Sequence, residues 1–197
     1  MNDFDFIVRP CKITHPSYWL LYKPLQLKRI VVATLEEIEN RVEGIIANIR
    51  GQFPDWSCQK GCDECCRRLA ELPLITRSEW SRLKEALIRL PEDEARQIQN
   101  EVKDLARESG PLICPLLNQS EGACKVYPYR PLACRSYGYF IQKGVGLHCK
   151  KIEAQVNQGA LDRVVWGNQD ALERDMRQEG AARSLHDWFI DPVHGLN

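Results

Sequence analysis

The run CQKGCDECC puts Cys58, Cys62, Cys65 and Cys66 within nine residues. Four thiols so close cannot all be small core residues, because one turn or helix end would have to bury them together. Soft sulfur side chains at three-residue and two-residue gaps are what zinc and iron-sulfur centres use. Cys66 follows Cys65 directly and must point differently, to the far side of the same centre or to a second one. One turn rarely encloses four corners of a tetrahedron, so the run needs partners from elsewhere in the chain. Cys114, Cys124, Cys134 and Cys149 supply them. Eight thiolates suffice for two four-coordinate centres, or for one cluster with spare redox-active thiols.

Nine cysteines in 197 residues leave one over, and Cys11, far upstream, is the candidate. It reads as a small buried or surface residue. Basic and acidic residues balance at 27 each, so there is no net field to hold nucleic acid or an anionic membrane, and neither is expected as a partner. No apolar run approaches the roughly 18 residues of a membrane span, and the start lacks a basic region followed by an apolar one. A cytoplasmic location is expected. Thiols stay reduced there, which favours metal over a disulfide framework.

The predicted fold class is mainly α with a small β-hairpin, an irregular metal-stabilised cysteine-rich core flanked by helices. Residues 1 to 53 form an arm and a helix. Pro10, Pro16 and Pro24 make the first 30 residues an irregular arm over the body, and Leu35, Ile38, Val42, Ile45, Ile46 and Ile49 then recur at helical spacing. Thr34 with Glu37 gives that helix a capping box. Residues 54 to 150 form the cysteine-cluster domain, with a helical insertion at 76 to 109. Thr76 and Glu79 cap its first helix, and its second starts at Pro91, buries Ala95, Ile98, Val102 and Leu105, and ends at Gly110 and Pro111. The two are expected to pair antiparallel. ICPLL and ACKVY flank the turn-rich NQSEG as a short hairpin carrying Cys114 and Cys124. Residues 151 to 197 form a C-terminal helical extension on the same single domain, helical from about Gly159 to Ile190.

Arg67, Arg68, Arg130 and Arg135 lie beside candidate ligands, where positive charge would offset clustered thiolates. Pro128 and Pro131 stiffen the approach to Cys134. Tyr127, Tyr129, Tyr137 and Tyr139 are expected to wall the site from water. His148 precedes Cys149 but is read as a surface imidazole, since thiols already suffice. No phosphate loop, GxSxG elbow or HExxH helix occurs, and no cysteine stands out as a nucleophile.

The order CQKGCDECC, CPLL, GACKVYPYRPLACRSYG and a final Cys149 resembles the YkgJ-like cysteine-cluster family of zinc- or iron-chelating domains, over residues 54 to 150. The resemblance implies metal ligation by Cys58, Cys62, Cys65, Cys66, Cys114, Cys124, Cys134 and Cys149. A related cysteine pattern occurs in flagellin lysine methylases, but this chain has no recognisable nucleotide or S-adenosylmethionine motif. The expected cofactor is an iron-sulfur cluster or iron, with zinc as the alternative. The expected role is redox or metal handling. Alternatives are a structural zinc module and a protein-modifying enzyme. The metal ion is the expected partner, and any protein partner would dock on the helical flanks.

Overall fold

The computed structural model describes residues 33–105 and 111–196. The expected N-terminal arm and Cys11 lie outside them, as does Gly110. The described residues are mainly helical with small β elements, as the sequence indicates.

Helix α1, Leu35–Gln52, begins at the capping box: the Thr34 hydroxyl accepts from the Glu37 amide while the Glu37 carboxylate accepts from the Thr34 amide. Its buried stripe is Leu35, Ile38, Val42, Ile46 and Ile49, with the expected Ile45 only half-buried. Phe53-Pro54 ends it, since proline disfavours helical backbone in the residue before it. Helix α2, Arg77–Ile88, has the same box at Thr76 and Glu79. Helix α3, Glu92–Leu105, buries Ile98 and Val102 fully, whereas Ala95 and Leu105 stay half-buried.

Two apolar cores result. The first gathers Trp80, Leu83 and Leu87 of α2 and Ile98 and Val102 of α3 against Leu185, Trp188 and Phe189 of the last helix, α7, Leu185–Ile190. Trp80 and Trp188 stack at 6.2 Å between centroids. Their indole N–H groups donate to the carbonyls of His194 (2.8 Å) and Ile75 (2.9 Å), so two large rings are buried without a stranded donor. Beside them, strand β1, Leu74–Ile75, pairs antiparallel with β7, Arg183–Ser184.

The second core joins α1 to α4, Leu132–Ser136, α5, Lys150–Asn157, and α6, Gln169–Glu179, around Trp56, Tyr139 and Phe140. A three-stranded sheet closes it, in the order β5 (Val145–Leu147), β4 (Phe140–Gln142), β6 (Gly167–Asn168). The β4–β5 hairpin turns at Lys143 (φ 49°) and Gly144 (φ 80°). The expected hairpin is present in shorter form, as β2, Leu117–Asn118, against β3, Ala123–Cys124; Cys124 is on it, but Cys114 lies before β2 and not on an arm.

The long C-terminal helix is corrected. Residues 159 to 168 are not helical: Gly159 turns the chain at φ 73°, and β6 follows. Gly167 lies where a Cβ would come within 2.6 Å of the Phe140 ring, so the chain passes that ring only as glycine. Cys134, expected in a turn, sits on the one-turn α4, and Cys149 is the N-cap of α5. The described residues, 33–105 and 111–196, fall in one compact unit. Among the described residues, no helix is long and apolar enough to cross a membrane.

Candidate metal centre

The cysteine run leaves the second core at Cys58 and reaches the first at Leu69 and Leu72. Beyond α1 the chain buries Trp56, which stacks on Tyr139 at 5.4 Å. Arg50, in the last turn of α1, donates to the Tyr139 hydroxyl (2.7 Å) and to the Cys58 carbonyl (3.0 Å), and the Tyr139 hydroxyl donates to that same carbonyl. Cys58 is thereby fixed at its backbone. Its thiol donates to the Tyr137 carbonyl at 3.7 Å. Gly138, at φ 89°, lies against it: a Cβ there would stand 3.0 Å from the Cys58 sulfur.

Gly61 (φ 93°) and the bond from the Cys62 amide to the Gln59 carbonyl (2.9 Å) turn the run back on itself. Past Cys66 it runs antiparallel to residues 112–114, through the Leu69–Leu112 bridge and the bond from the Cys114 amide to the Cys66 carbonyl (2.7 Å). The β2–β3 hairpin brings Cys124 to the same region. Cys134 is held through α4. There the Leu132 amide donates to the buried Glu79 carboxylate (2.8 Å), and Arg135 donates to the carbonyls of Arg130 and Pro128 (2.8 Å each).

These segments enclose a cavity of about 450 Å³ whose wall includes Cys58, Cys62, Cys65, Cys66, Cys114, Cys124 and Cys134. Cys149 stands outside that wall, packed on the second core, yet near enough that its charge acts on Cys58 and Tyr137. All eight cysteines are free, half-buried thiols. Among the described residues no three His, Cys, Asp or Glu side chains are gathered tightly enough to hold a metal ion. The sulfurs line a space and do not meet at a point.

Burial dominates the acidity of Cys58, Cys114, Cys124 and Cys134. Burial, with the charges of Cys65 and Cys62, pushes the Cys58 thiol up to about 11, and burial pushes Cys114 up to about 12. Cys134 and Cys124 are also raised, chiefly by burial. The Cys65 and Cys66 sulfurs are 4.0 Å apart and share a hydrogen bond, which lowers Cys65 and raises Cys66. Thiols crowded in this way become thiolates together only when a cation replaces their protons. In its chemistry the donor set, soft and numerous, suits zinc or iron, although the sulfurs are not drawn together round one point.

The arginines divide. Arg130 stacks on Tyr127 at 3.6 Å, and its charge favours the thiolates of Cys65, Cys124 and Cys134. Arg68 lines the cavity, 3.9 Å from Glu64. Arg135 also lines it but is matched by Glu39 (3.5 Å) and Glu43 (3.3 Å). Arg67 instead bonds Asp63 and the Gln119 carbonyl. Of the four tyrosines, Tyr127, Tyr137 and Tyr139 line the cavity, while Tyr129 packs on the first core. His148 lies over Gly146 and beside Trp166, away from the wall.

A family model matches residues 57–164, more than half of the chain, with the whole cysteine set from Cys58 to Cys149 inside the match. The chain belongs to the CxxCxxCC family. Its description is "Putative zinc- or iron-chelating domain", and membership carries metal binding of that kind. The run here is C-x3-C-x2-C-C, one residue longer in its first gap than the name spells, and Gly61 sits in that gap. No curated protein and no solved structure matches the chain.

Three residues of this CxxCxxCC site escaped the sequence reading: Arg50, Gly138 and, as a support for α4, Glu79. Gly138 gave a signal, a glycine between two tyrosines four residues past Cys134. Gly138→Ala is expected to lower stability by about 2 kcal/mol, from a side chain in left-handed backbone and its contact with Cys58. It is also expected to reduce the metal bound per chain. Thermal unfolding and elemental analysis check both; unchanged metal content would mean that Cys58 adjusts freely.

Proposed function

We propose that the chain holds iron, as an iron-sulfur or other polynuclear centre, in a redox or metal-handling role, with the eight cysteines as its ligands. The observation that carries this reading is the cavity of about 450 Å³ walled by seven thiols. A single four-coordinate zinc needs four sulfurs and no such space, whereas a cluster with inorganic sulfide uses both. Bound there, the centre would supply electron transfer. The protein's own contribution is to hold the thiols from several segments, to exclude water with Tyr127, Tyr137 and Tyr139, and to offset negative charge with Arg130 and Arg50. The cysteine-cluster domain is assigned to residues 54 to 150, with the flanking helices as its scaffold, in a cytoplasmic protein.

Anaerobic purification followed by elemental analysis and a visible spectrum tests this. Iron with acid-labile sulfide and a broad visible absorbance are expected. Colourless protein with stoichiometric zinc would sink the iron reading and favour the second one, a structural zinc module that supports a protein-binding surface. One observation favours that alternative: Cys114 and Cys124 pack on the first core, Cys58 and Cys149 on the second, so a metal would fasten the halves together. A protein-modifying enzyme would need a substrate cleft beside the metal with convergent polar groups, and that reading has the least support.

A further inference from the structure

We infer that Trp56 and Trp166 carry electrons between the metal centre and the protein surface, with Tyr139 as the bridge from the thiol cavity and Trp166 as the outer end. This rests on the iron reading and gives its redox role a route.

The rings form a continuous series of contacts. Tyr139 walls the cavity, and its hydroxyl donates to the Cys58 carbonyl. Trp56 stacks on the Tyr139 ring at 5.4 Å and 15°, Trp166 packs on Trp56 at 5.4 Å and 59°, and His148 lies 5.9 Å beyond Trp166. Burial falls along the same series: Tyr139 and Trp56 are buried, Trp166 and His148 are half-buried, and Val165 beside Trp166 is exposed. Stacked and tilted rings at such separations are in contact, and indole is among the side chains that lose an electron most readily. Phe53, 6.2 Å from Trp56, is not, so it does not divert the route. The Trp56 Nε1 points to this role. It is buried without a hydrogen-bond partner among the described residues, unlike the indoles of Trp80 and Trp188, which donate to carbonyls. A buried donor left unpaired needs a reason. An oxidised indole with no acceptor keeps its proton, so an electron alone refills it. The Tyr139 hydroxyl gives its hydrogen bond to a carbonyl, which is no base, and the Arg50 guanidinium lies 5.4 Å over the ring, so the phenol bridges without being oxidised. The steps balance as one-electron transfers. An external one-electron oxidant takes an electron from Trp166, Trp56 returns one to Trp166, and one passes from iron(II) across the Tyr139 ring to Trp56. Iron(II) ends as iron(III), the oxidant is reduced by one electron, no bond is made or broken and no proton moves.

The test uses the full chain purified anaerobically, with its iron reduced and excess reductant removed. A flash-generated ruthenium(III) polypyridyl complex, too large to fit inside a cavity of about 450 Å³, supplies the one-electron oxidant. Transient absorption reads the indole radical and the visible band of the iron. A Trp166 radical that decays as the iron is oxidised is expected. Trp166→Phe is expected to lose the transient and to slow oxidation of the iron. Trp56→Phe is expected to keep the transient, lengthen its lifetime and lower the yield of oxidised iron. Iron oxidised at the same rate in Trp166→Phe would overturn the route, and this variant, which alters only a half-buried ring, decides the matter even where Trp56→Phe does not fold. An unchanged radical lifetime in a folded, iron-loaded Trp56→Phe protein would remove Trp56 from the route and so overturn it. Colourless zinc protein would instead sink the iron reading, and the route with it.

Discussion

Removing bound metal with a chelator under reducing conditions is expected to lower the thermal midpoint by about 10 °C. A ligand present at a thousandfold excess over its dissociation constant stabilises the folded state by about 4 kcal/mol. In a domain of this size each kcal/mol shifts the midpoint by roughly 2–4 °C. The loss should be local in origin. The cysteine run and the β2–β3 hairpin hold few fully buried side chains and are joined by the Leu69–Leu112 bridge, the Cys114–Cys66 backbone bond and the bond from Arg67 to the Gln119 carbonyl. The Trp80–Trp188 and Trp56–Tyr139 cores keep their own packing. Hydrogen exchange should therefore rise in residues 58 to 70 and 112 to 126 before it rises in α1 or α2. Equal exchange in both states would mean that the metal adds nothing to the fold.

Glu79→Ala is expected to carry a large cost outside the cysteines. The Glu79 carboxylate is buried and accepts from the Thr76 amide (2.9 Å), the Thr76 hydroxyl (3.3 Å) and the Leu132 amide (2.8 Å). Alanine strands all three donors, and a buried donor left without its acceptor costs about 1–3 kcal/mol. A net loss of about 3 kcal/mol, or roughly 9 °C in the midpoint, is expected. Metal content should fall with it, because the Leu132 amide opens the helix that carries Cys134. Full metal retention in a folded Glu79→Ala protein would show that α4 does not depend on this contact.

The same carboxylate gives a pH dependence of known sign. Burial, reinforced by the Glu39 charge, raises its pKa in the folded chain despite the three donors that act the other way. The proton is thus held more tightly in the folded state. The corresponding stability is fully present below the ordinary carboxylate range and is lost as pH rises through the raised value. Glu79→Gln has no charge to bury, so a stability-against-pH curve for that variant should lack this component. A slope equal to that of the unsubstituted protein would assign the effect elsewhere.

Helices α1 and α2 were legible because their signals are local: a threonine and a glutamate three residues apart, then apolar residues at helical spacing. Residues 159 to 168 show where such reasoning fails. Leu161, Val164 and Val165 mimic a helical stripe, but Leu161 is buried against the second core while Val165 is 74% exposed. The contact of Gly167 with Phe140, 27 positions away, overrides the pattern. The β4–β5 hairpin was missed for a related reason, since it turns at Lys143, a residue that rarely adopts a positive φ.

The thiols themselves were visible as a set, because eight sulfurs in such a pattern admit little other chemistry. Their distribution was not visible. Which core each sulfur rests on depends on helices far from it in the sequence, and the clamp from Arg50 through Tyr139 to the Cys58 carbonyl joins positions that no local pattern connects.

Cys149 at the head of α5 has a consequence for the order of events during synthesis. It follows Cys58 by about 90 residues, and both rest on a core that also requires α6, further still along the chain. A nascent chain emerging from the ribosome therefore presents the CQKGCDECC run long before its companions exist, and those early thiols must stay reduced and uncommitted while the rest is made. If Cys58 and Cys149 are ligands as proposed, metal insertion belongs after translation has passed α6, as a closing step that reports a correctly assembled polypeptide.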